Sequence, residues 1–320
     1  MKKIILRIVD LLFSPLTLLS ALWLKFVRRR IVTLWADDSL LSKQIFIKVG
    51  VFPIIDHYFE PSFNYKKLKH SLRDDREISG INFNVLEQLA LLKEFNYNDE
   101  IIEISKLPDR QLNFSFNKGP FRSGDAEFLY NIIRLLKPKK IFEIGSGHST
   151  LMAQHALVKN LAESPDNIAE HVCIEPFEAP WLEKLPVKVI RNLVEDMDVG
   201  FFKQLNAGDI LFIDSSHIIT PQGDVLFEYL QILPILATGV IVHIHDIFTP
   251  KNYLSEWLEK GTRFWNEQYL LEAFLTMNDR YKIIGALNYL KHNHYNELAE
   301  KSPMLTTDRE PGSFWIQRTS

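Results

Sequence analysis

The sequence predicts an α/β fold: a parallel sheet covered by helices on both faces, carried behind a separate N-terminal extension. Three observations lead there. After Gly119 short, near-continuous apolar runs alternate with helical stretches, the pattern of strands buried on both faces. Several of those runs turn polar at their carboxyl ends, where such sheets bind ligands. Before Gly119 the alternation is missing, and the chain reads as an apolar, basic segment (1–36) followed by a mixed stretch (37–120), leaving 121–320 as the main domain. With 46% of its 320 residues hydrophobic, the chain is not a disordered one. One cysteine, Cys173, excludes a disulfide framework and a Cys-rich zinc module.

Residues 1–36 hold seven basic side chains and one acid, Asp10, giving a charge of +6; the other 284 residues carry −9. An acidic body is a poor match for a nucleic-acid backbone, so no nucleic-acid partner is expected. From Ile8 to Leu24 the segment is apolar and flanked by Lys and Arg. Lys25 and Arg28–Arg30 follow where a signal peptide would need small residues, so cleavage is not expected. The run is short for a simple span and contains Asp10, costly at mid-bilayer, and Pro15, which removes one helical hydrogen bond and kinks the segment. It therefore predicts a helix in contact with a membrane surface through residues 1–30, at the cytoplasmic, inner face. The bland alternative is a helix docked on the protein's own core or on a second subunit, a homodimer. In the mixed stretch, Asn84 predicts the cap of a helix to about Phe95, with Val85, Leu86, Leu89, Leu92 and Phe95 on one stripe.

In the body, Ser123 predicts the cap of a helix in which Phe128, Leu129, Ile132, Ile133 and Leu136 recur, closed by Pro138. Strands are predicted at 140–144, 171–175, 187–191, 209–215, 239–246, 281–287 and 313–317, with a helix over 225–236. The first strand ends Glu143, Ile144, Gly145, Ser146, Gly147, His148, Ser149, Thr150. Two glycines let a ligand approach the backbone, and the following helix offers free N–H groups. A dinucleotide fingerprint would have a third Gly where Thr150 stands. The acid Glu143 would attract a cationic ligand and repel a pyrophosphate. Glu175 ends the second strand, where an acid can accept both hydroxyls of a ribose. After the third strand, Glu195 and Asp196 offer acids, and Met197 an apolar side chain, to an adenine; Asp196 is the assigned acid. Strand four ends at Asp214, with Ser216 and His217 beyond; strand five ends His243, Ile244, His245, Asp246. Ionisable residues closing an apolar strand are costly unless paired or used. Asp214, His217, His245 and Asp246 are expected to converge, either as a site for a divalent cation, Mg²⁺ or Mn²⁺, on Asp214, His245 and Asp246, or as a catalytic set in which His217 or His245 is the general base.

With both glycines and these acids in order, the chain resembles class I S-adenosylmethionine-dependent methyltransferases over roughly residues 120–320. It is most similar to the small-molecule and saccharide branch, in which the fourth strand reads like Phe212–His217 here. The resemblance implies a Rossmann-like seven-stranded sheet of order 3-2-1-4-5-7-6 with strand seven antiparallel. It also implies S-adenosyl-L-methionine as cofactor, held by Glu143, Gly145, Ser146, Gly147, Ser149, Thr150, Glu175 and Asp214, with Ser123 and Asp125 bordering the methionine end. The implied reaction is O-methylation of a small molecule or a saccharide precursor. Two other classes share parts of the pattern: a NAD-dependent sugar oxidoreductase or epimerase, and a non-catalytic module in a membrane assembly. Thr150 and Glu143 argue against the first, and the intact glycine turn against the second.

Overall fold

A computed structural model describes residues 2–33, 41–51, 53–55, 61–108, 110–177, 179–259 and 263–320. They divide into two compact units, Met1–His70 and Ser71–Ser320. The division falls inside the 37–120 stretch, so residues 71–120 group with the body that carries the sheet.

The first unit contains α1 (Lys2–Thr33) and α2 (Leu41–Val49). The apolar side chains of α1 from Ile4 to Phe26, the half-buried Leu24 excepted, are exposed, and Lys2–Arg29 is long and apolar enough to cross a membrane. Pro15 does not end the helix, which is continuous from Lys2 to Thr33. Pro15 has no N–H for the carbonyl of Leu11, but the Ser14 hydroxyl donates to that same oxygen at 2.9 Å. The Thr17 hydroxyl likewise donates to the Phe13 carbonyl at 3.1 Å, so two of the segment's polar side chains are satisfied within the helix.

The second unit is built on seven strands: β1 (Lys140–Ile144), β2 (Glu170–Ile174), β3 (Lys188–Ile190), β4 (Ile210–Ile213), β5 (Ile241–Ile244), β6 (Tyr281–Ala286) and β7 (Phe314–Arg318). Their order is 3-2-1-4-5-7-6; β7 is antiparallel to β5 and β6, and the other pairings are parallel. This is the topology expected from the sequence. The helices are α3 (Val85–Glu94), α4 (Asn98–Ser105), α5 (Asp125–Leu136), α6 (His148–Glu163), α7 (Asp224–Phe227), α8 (Ser255–Glu259), α9 (Glu267–Leu275), α10 (Leu287–Asn293) and α11 (Tyr295–Glu300).

Strand alternation divides the core in two. Ile144, Ile174, Ile213 and Ile244 pack in one cluster; Ile141, Ile210, Phe212, Ile241 and Trp315 pack in the other with α5 and α6. The second face carries a continuous row across the sheet, Cys173–Glu143–Phe212–His243–Trp315, set by strand register.

Three helices differ from expectation. Asn84 does precede α3, but in a left-handed conformation with no side-chain cap bond, and Leu86 is exposed while Gln88 is buried. The buried stripe is thus rotated, because the Gln88 amide is used to bond the Phe83 carbonyl and the Ala286 N–H. Ser123 does not cap α5: Gly124 does, with φ 85°, and Glu127 reaches back to its N–H at 2.6 Å. The helix expected over 225–236 is α7 followed by a π turn, Glu228–Ile232, and a 3₁₀ turn, Leu233–Ile235. Pro234 cannot donate to a carbonyl four residues back, and the chain bonds Leu233 N–H to the Glu228 carbonyl instead.

Candidate active site

The carboxyl ends of β1, β2, β3 and β4 open onto a cavity of about 410 Å³. Gly145, Glu175, Leu193, Glu195, Asp214 and Phe177 are among its walls. Gly145 has φ 76°, and a Cβ there would lie 1.9 Å from the Asp214 carbonyl oxygen. The close approach of β1 and β4 thus admits no side chain at this position. Around Gly147, by contrast, a Cβ would meet no atom within 4 Å, so the turn leaves open space. Glu175 is buried, and its carboxylate accepts the Ser146 N–H at 3.2 Å and the Phe177 N–H at 3.0 Å. Those bonds fix the carboxylate at the cavity wall. Phe177 itself is 80% exposed, a large apolar ring held at the rim with no core to join.

Not every expected cofactor residue reaches this cavity. Glu143 is turned away by strand alternation into the face covered by α6. There its carboxylate accepts the hydroxyls of Ser149 and Thr150 (2.7 Å for Thr150), faces His171 Nε2 at 3.1 Å and takes the Cys173 thiol at 3.8 Å. Thr150 also accepts the Gly147 N–H at 3.0 Å. A glycine at 150 would lose the bond that closes the turn. Glu143, Ser149 and Thr150 therefore set the turn's shape from behind. Burial pushes the His171 imidazole down, but Cys173 and Glu143 outweigh it and raise it to about 10. Asp196 is exposed on the 3₁₀ turn Val194–Asp196, and its neighbour Glu195 lines the cavity in its place. Ser123 borders a second cavity, of about 600 Å³, and not the first. Asp125 is fully buried and accepts the N–H groups of Gly312 and Ser313 at 2.9 and 2.7 Å, tying α5 to the entry of β7.

At the edge of the first cavity the strand-end residues converge. His217 Nε2 lies 3.2 Å from Asp214 Oδ1 and 3.7 Å from Asp246 Oδ2. His245 Nδ1 lies 3.4 Å from Asp214 Oδ1 and 3.6 Å from Asp246 Oδ1. Both His217 (φ 62°) and Asp246 (φ 57°) are in left-handed backbone, a conformation non-glycine residues adopt at a cost of about 1–3 kcal/mol where surrounding structure imposes it. The ligand atoms of Asp214, His217 and Asp246 all lie within 4.8 Å of one another. The closed triplet thus contains His217 where His245 was expected. His245 touches the same two carboxylates through Nδ1, but its Nε2 points away, 3.9 Å from Asp125 Oδ2. Two carboxylates and one imidazole suit a hard divalent ion. The other nitrogen of His217, Nδ1, meets Glu267 Oε2 at 2.8 Å, which turns Nε2 toward the carboxylates in the manner of an outer-shell partner.

Charge shifts follow from this crowding. Burial raises the Asp214 carboxyl, but His245 and His217 outweigh it and hold it far below the usual range. Burial lowers His217, yet Asp214 and Glu267 raise it well above an ordinary histidine. His245 is raised likewise, its burial outweighed by Asp246, Asp214 and Asp125. Asp246 is raised by burial, with Asp214 and Asp125 adding to it against the two histidines.

Two further residues complete the site: Glu267, in the aromatic stretch Trp257 to Tyr269 that the sequence offers either as a cover of the acceptor site or as core, and Glu228, which the sequence does not single out. Glu267 stands 50 residues after His217, is fully buried, and also accepts the Tyr229 hydroxyl at 3.1 Å. Glu228, in the π turn, is fully buried, and accepts the Ser215 hydroxyl at 3.1 Å while its other oxygen has no partner among the described residues. Burial, then Glu267 and Asp224, push its carboxyl well above the usual range. No sequence signal marks Glu228, because the π turn that carries it is invisible in residue periodicity. The aromatic stretch from Trp257 to Tyr269, of which residues 260–262 lie outside the described residues, places Trp265 against His217 with ring centroids 4.4 Å apart.

Residues 142–247 match a family described as a methyltransferase domain. The chain is 29% identical over 180 residues, 52% of its length and 78% of the relative's, to an uncharacterized protein of Archaeoglobus fulgidus. Among solved structures it is similar to the O-methyltransferase of Bacillus cereus in complex with S-adenosylhomocysteine, at 11% identity and a TM-score of 0.38, covering 71% of this chain and 100% of that one. It is similar also to a TDP-rhamnose 3′-O-methyltransferase of calicheamicin biosynthesis, at 11% identity and a TM-score of 0.40, covering 76% and 99%.

Proposed function

We propose that this chain, which is a class I S-adenosylmethionine-dependent methyltransferase, methylates a hydroxyl of a small molecule or saccharide precursor at a membrane surface. The observation that carries the reading is the meeting of Asp214, His217, His245 and Asp246 beside the cavity that Glu175 borders. Glu175 accepts the ribose hydroxyls, and Phe177 and Leu193 give apolar walls to the adenine. The open space at Gly147 lets the cofactor approach the backbone. The acids of the cluster favour the sulfonium cation by charge, and holding donor and acceptor in line supplies much of the rate.

Asp214, His217 and Asp246 fit a magnesium or manganese ion, which when bound would lower the pKa of an acceptor hydroxyl. His217 is held by Glu267 so that Nε2 faces the reacting side, and His245 Nδ1 shares the same carboxylates. These residues orient the hydroxyl, and an imidazole among them takes up its proton when neutral, which its raised pKa places toward alkaline pH. Trp265 lies over His217 and limits water there. Chelation abolishes activity, restored by magnesium or manganese, if the ion is required; activity that ignores chelator and falls at acid pH identifies a histidine as base instead.

Membrane contact rests on α1, whose apolar side chains are exposed and whose Ser14 and Thr17 hydroxyls are satisfied internally. The flanking Lys and Arg suit anionic headgroups at the cytoplasmic face, at about 1 kcal/mol each. Deleting residues 1–30 moves the protein from membrane pellet to supernatant with unchanged S-adenosylhomocysteine affinity. Full-length protein that stays soluble without detergent would overturn the membrane part. Calorimetry with S-adenosylhomocysteine and NAD tests the enzymatic part: binding of NAD alone would overturn it.

A further inference from the structure

Charge in this protein divides along the same boundary as the fold. Met1–His70 holds twelve Lys and Arg against five Asp and Glu, whereas Ser71–Ser320 holds twenty-five against thirty-five. Within the first unit the basic side chains do not stop at α1. Residues 39–55 contain Lys43 and Lys48 and no acid, and residues 61–70 contain Lys66, Lys67 and Lys69 and no acid.

The short helix α2 falls in the first of these stretches. Leu41, Ile45 and Val49 recur every four residues, so they form one row along the helix, and they are 48–69% exposed. Lys48 is exposed beside that row. The helix closes at Gly50, φ 72°, where the N–H groups of Gly50 and Val51 both bond to the Phe46 carbonyl. The chain leaves this turn with Val51 and Ile54 exposed as well. Grouped apolar side chains left in solvent mark a surface that something covers.

We infer that α2 lies flat in the interfacial layer of an anionic membrane, with Leu41, Ile45 and Val49 among the acyl chains and Lys48 at the headgroups. This rests on the membrane reading of α1 above and adds a second, separate lipid contact. Length sets the orientation: nine residues rise about 14 Å, roughly half of a hydrocarbon core of about 30 Å, so α2 cannot span. Charge selects the occupant. An apolar row with lysine beside it and no acid nearby matches a layer that is apolar below and negative above. A second copy of the chain fits less well. Three side chains cover far less than the roughly 800 Å² per partner of a stable interface, and two units with this excess of positive charge repel.

The chain also keeps α2 close to the surface. Residues 34–40 are all that separate α1 from α2, and at about 3.5 Å per residue they reach no further than about 28 Å. A membrane-bound α1 therefore holds α2 at high effective concentration, so a row too short to bind by itself suffices.

The test uses full-length protein with vesicles of phosphatidylcholine and phosphatidylserine at roughly 3:1. Ile45→Cys carries an environment-sensitive thiol label; the native Cys173 is buried and does not compete for it. The expected label is shielded from aqueous iodide and quenched by nitroxide lipids, more by a nitroxide near the headgroup than by one at the chain end. Leu41→Gln, Ile45→Gln and Val49→Gln together are expected to weaken vesicle partitioning about tenfold, through lost apolar burial, with S-adenosylhomocysteine affinity unchanged. Protein that floats with the vesicles while its label stays open to iodide would overturn the proposal. So would a label shielded from iodide without lipid quenching in protein that sediments as a dimer, which would make the row a contact between two copies. Full-length protein that does not float at all would instead remove the membrane reading of α1 beneath it.

Discussion

Among the described residues, two clusters gather the side chains that metals and catalysts use. One is Glu143, His171 and Cys173; the other is Asp214, His217 and Asp246. Each combines an imidazole with acidic groups within a few ångströms. In the first, all three residues are buried in the sheet face under α6, and the Glu143 carboxylate already serves two hydroxyls and an imidazole. In the second, Asp214 and Asp246 are part-exposed, two residues sit in left-handed backbone, and a cavity adjoins. Residue type therefore does not separate a framework from a site. What separates them is whether the polar atoms are already spent on the protein and whether solvent can reach the rest.

The contrast is open to measurement, beginning with the largest effect. Asp214→Asn lowers methyl transfer at least roughly 10²-fold while S-adenosylhomocysteine affinity, read by calorimetry, stays within a factor of about two. Near-normal turnover would make the second cluster a framework like the first. Manganese titration sharpens the same point: Glu267→Gln weakens binding about 10–100-fold by releasing the His217 ring, whereas Cys173→Ser leaves it unchanged. Glu175→Ala weakens S-adenosylhomocysteine by more than about tenfold, since the carboxylate makes charge-assisted bonds of about 1.5–3 kcal/mol.

At the first cluster the effects fall on stability. Thr150→Val leaves the Gly147 N–H and a Glu143 oxygen short of a partner, and costs about 1–3 kcal/mol in denaturant unfolding. The sign of its pH dependence follows from His171. Raised to about 10 from the ordinary 6.5, the imidazolium contributes stability that is complete below pH 6.5 and is lost as pH climbs through 10. Unfolding free energy measured from pH 6.5 to 9.5 falls more steeply in the wild type than in His171→Asn. Parallel slopes would show that the ring is neutral in the native state.

The sheet was legible because each strand is a short apolar run bounded by polar residues, and the burial of β1, β2, β4 and β5 follows those runs. Glu175 and Asp214 were legible for the same reason: an acid at the end of an apolar strand stands at the sheet's mouth. Glu143 misled because it sits one residue before the strand's last position, and alternation sends that side chain to the α6 face. Asp196 misled by one residue, since a 3₁₀ turn has no periodicity to show which neighbour faces inward. Glu267 was out of reach, because its role depends on a contact made across 50 residues of chain.

Gly145 couples two walls of the first cavity. Its missing Cβ is the space in which the carbonyl of Asp214 sits, 1.9 Å from where a methyl group would be. The turn after β1 and the end of β4, both walls of the first cavity, are thus set by one clearance. An alanine there would push both surfaces at once, so neither could be adjusted at that point without the other. At this joint the width of the cavity is set by backbone meeting backbone, not by a side chain.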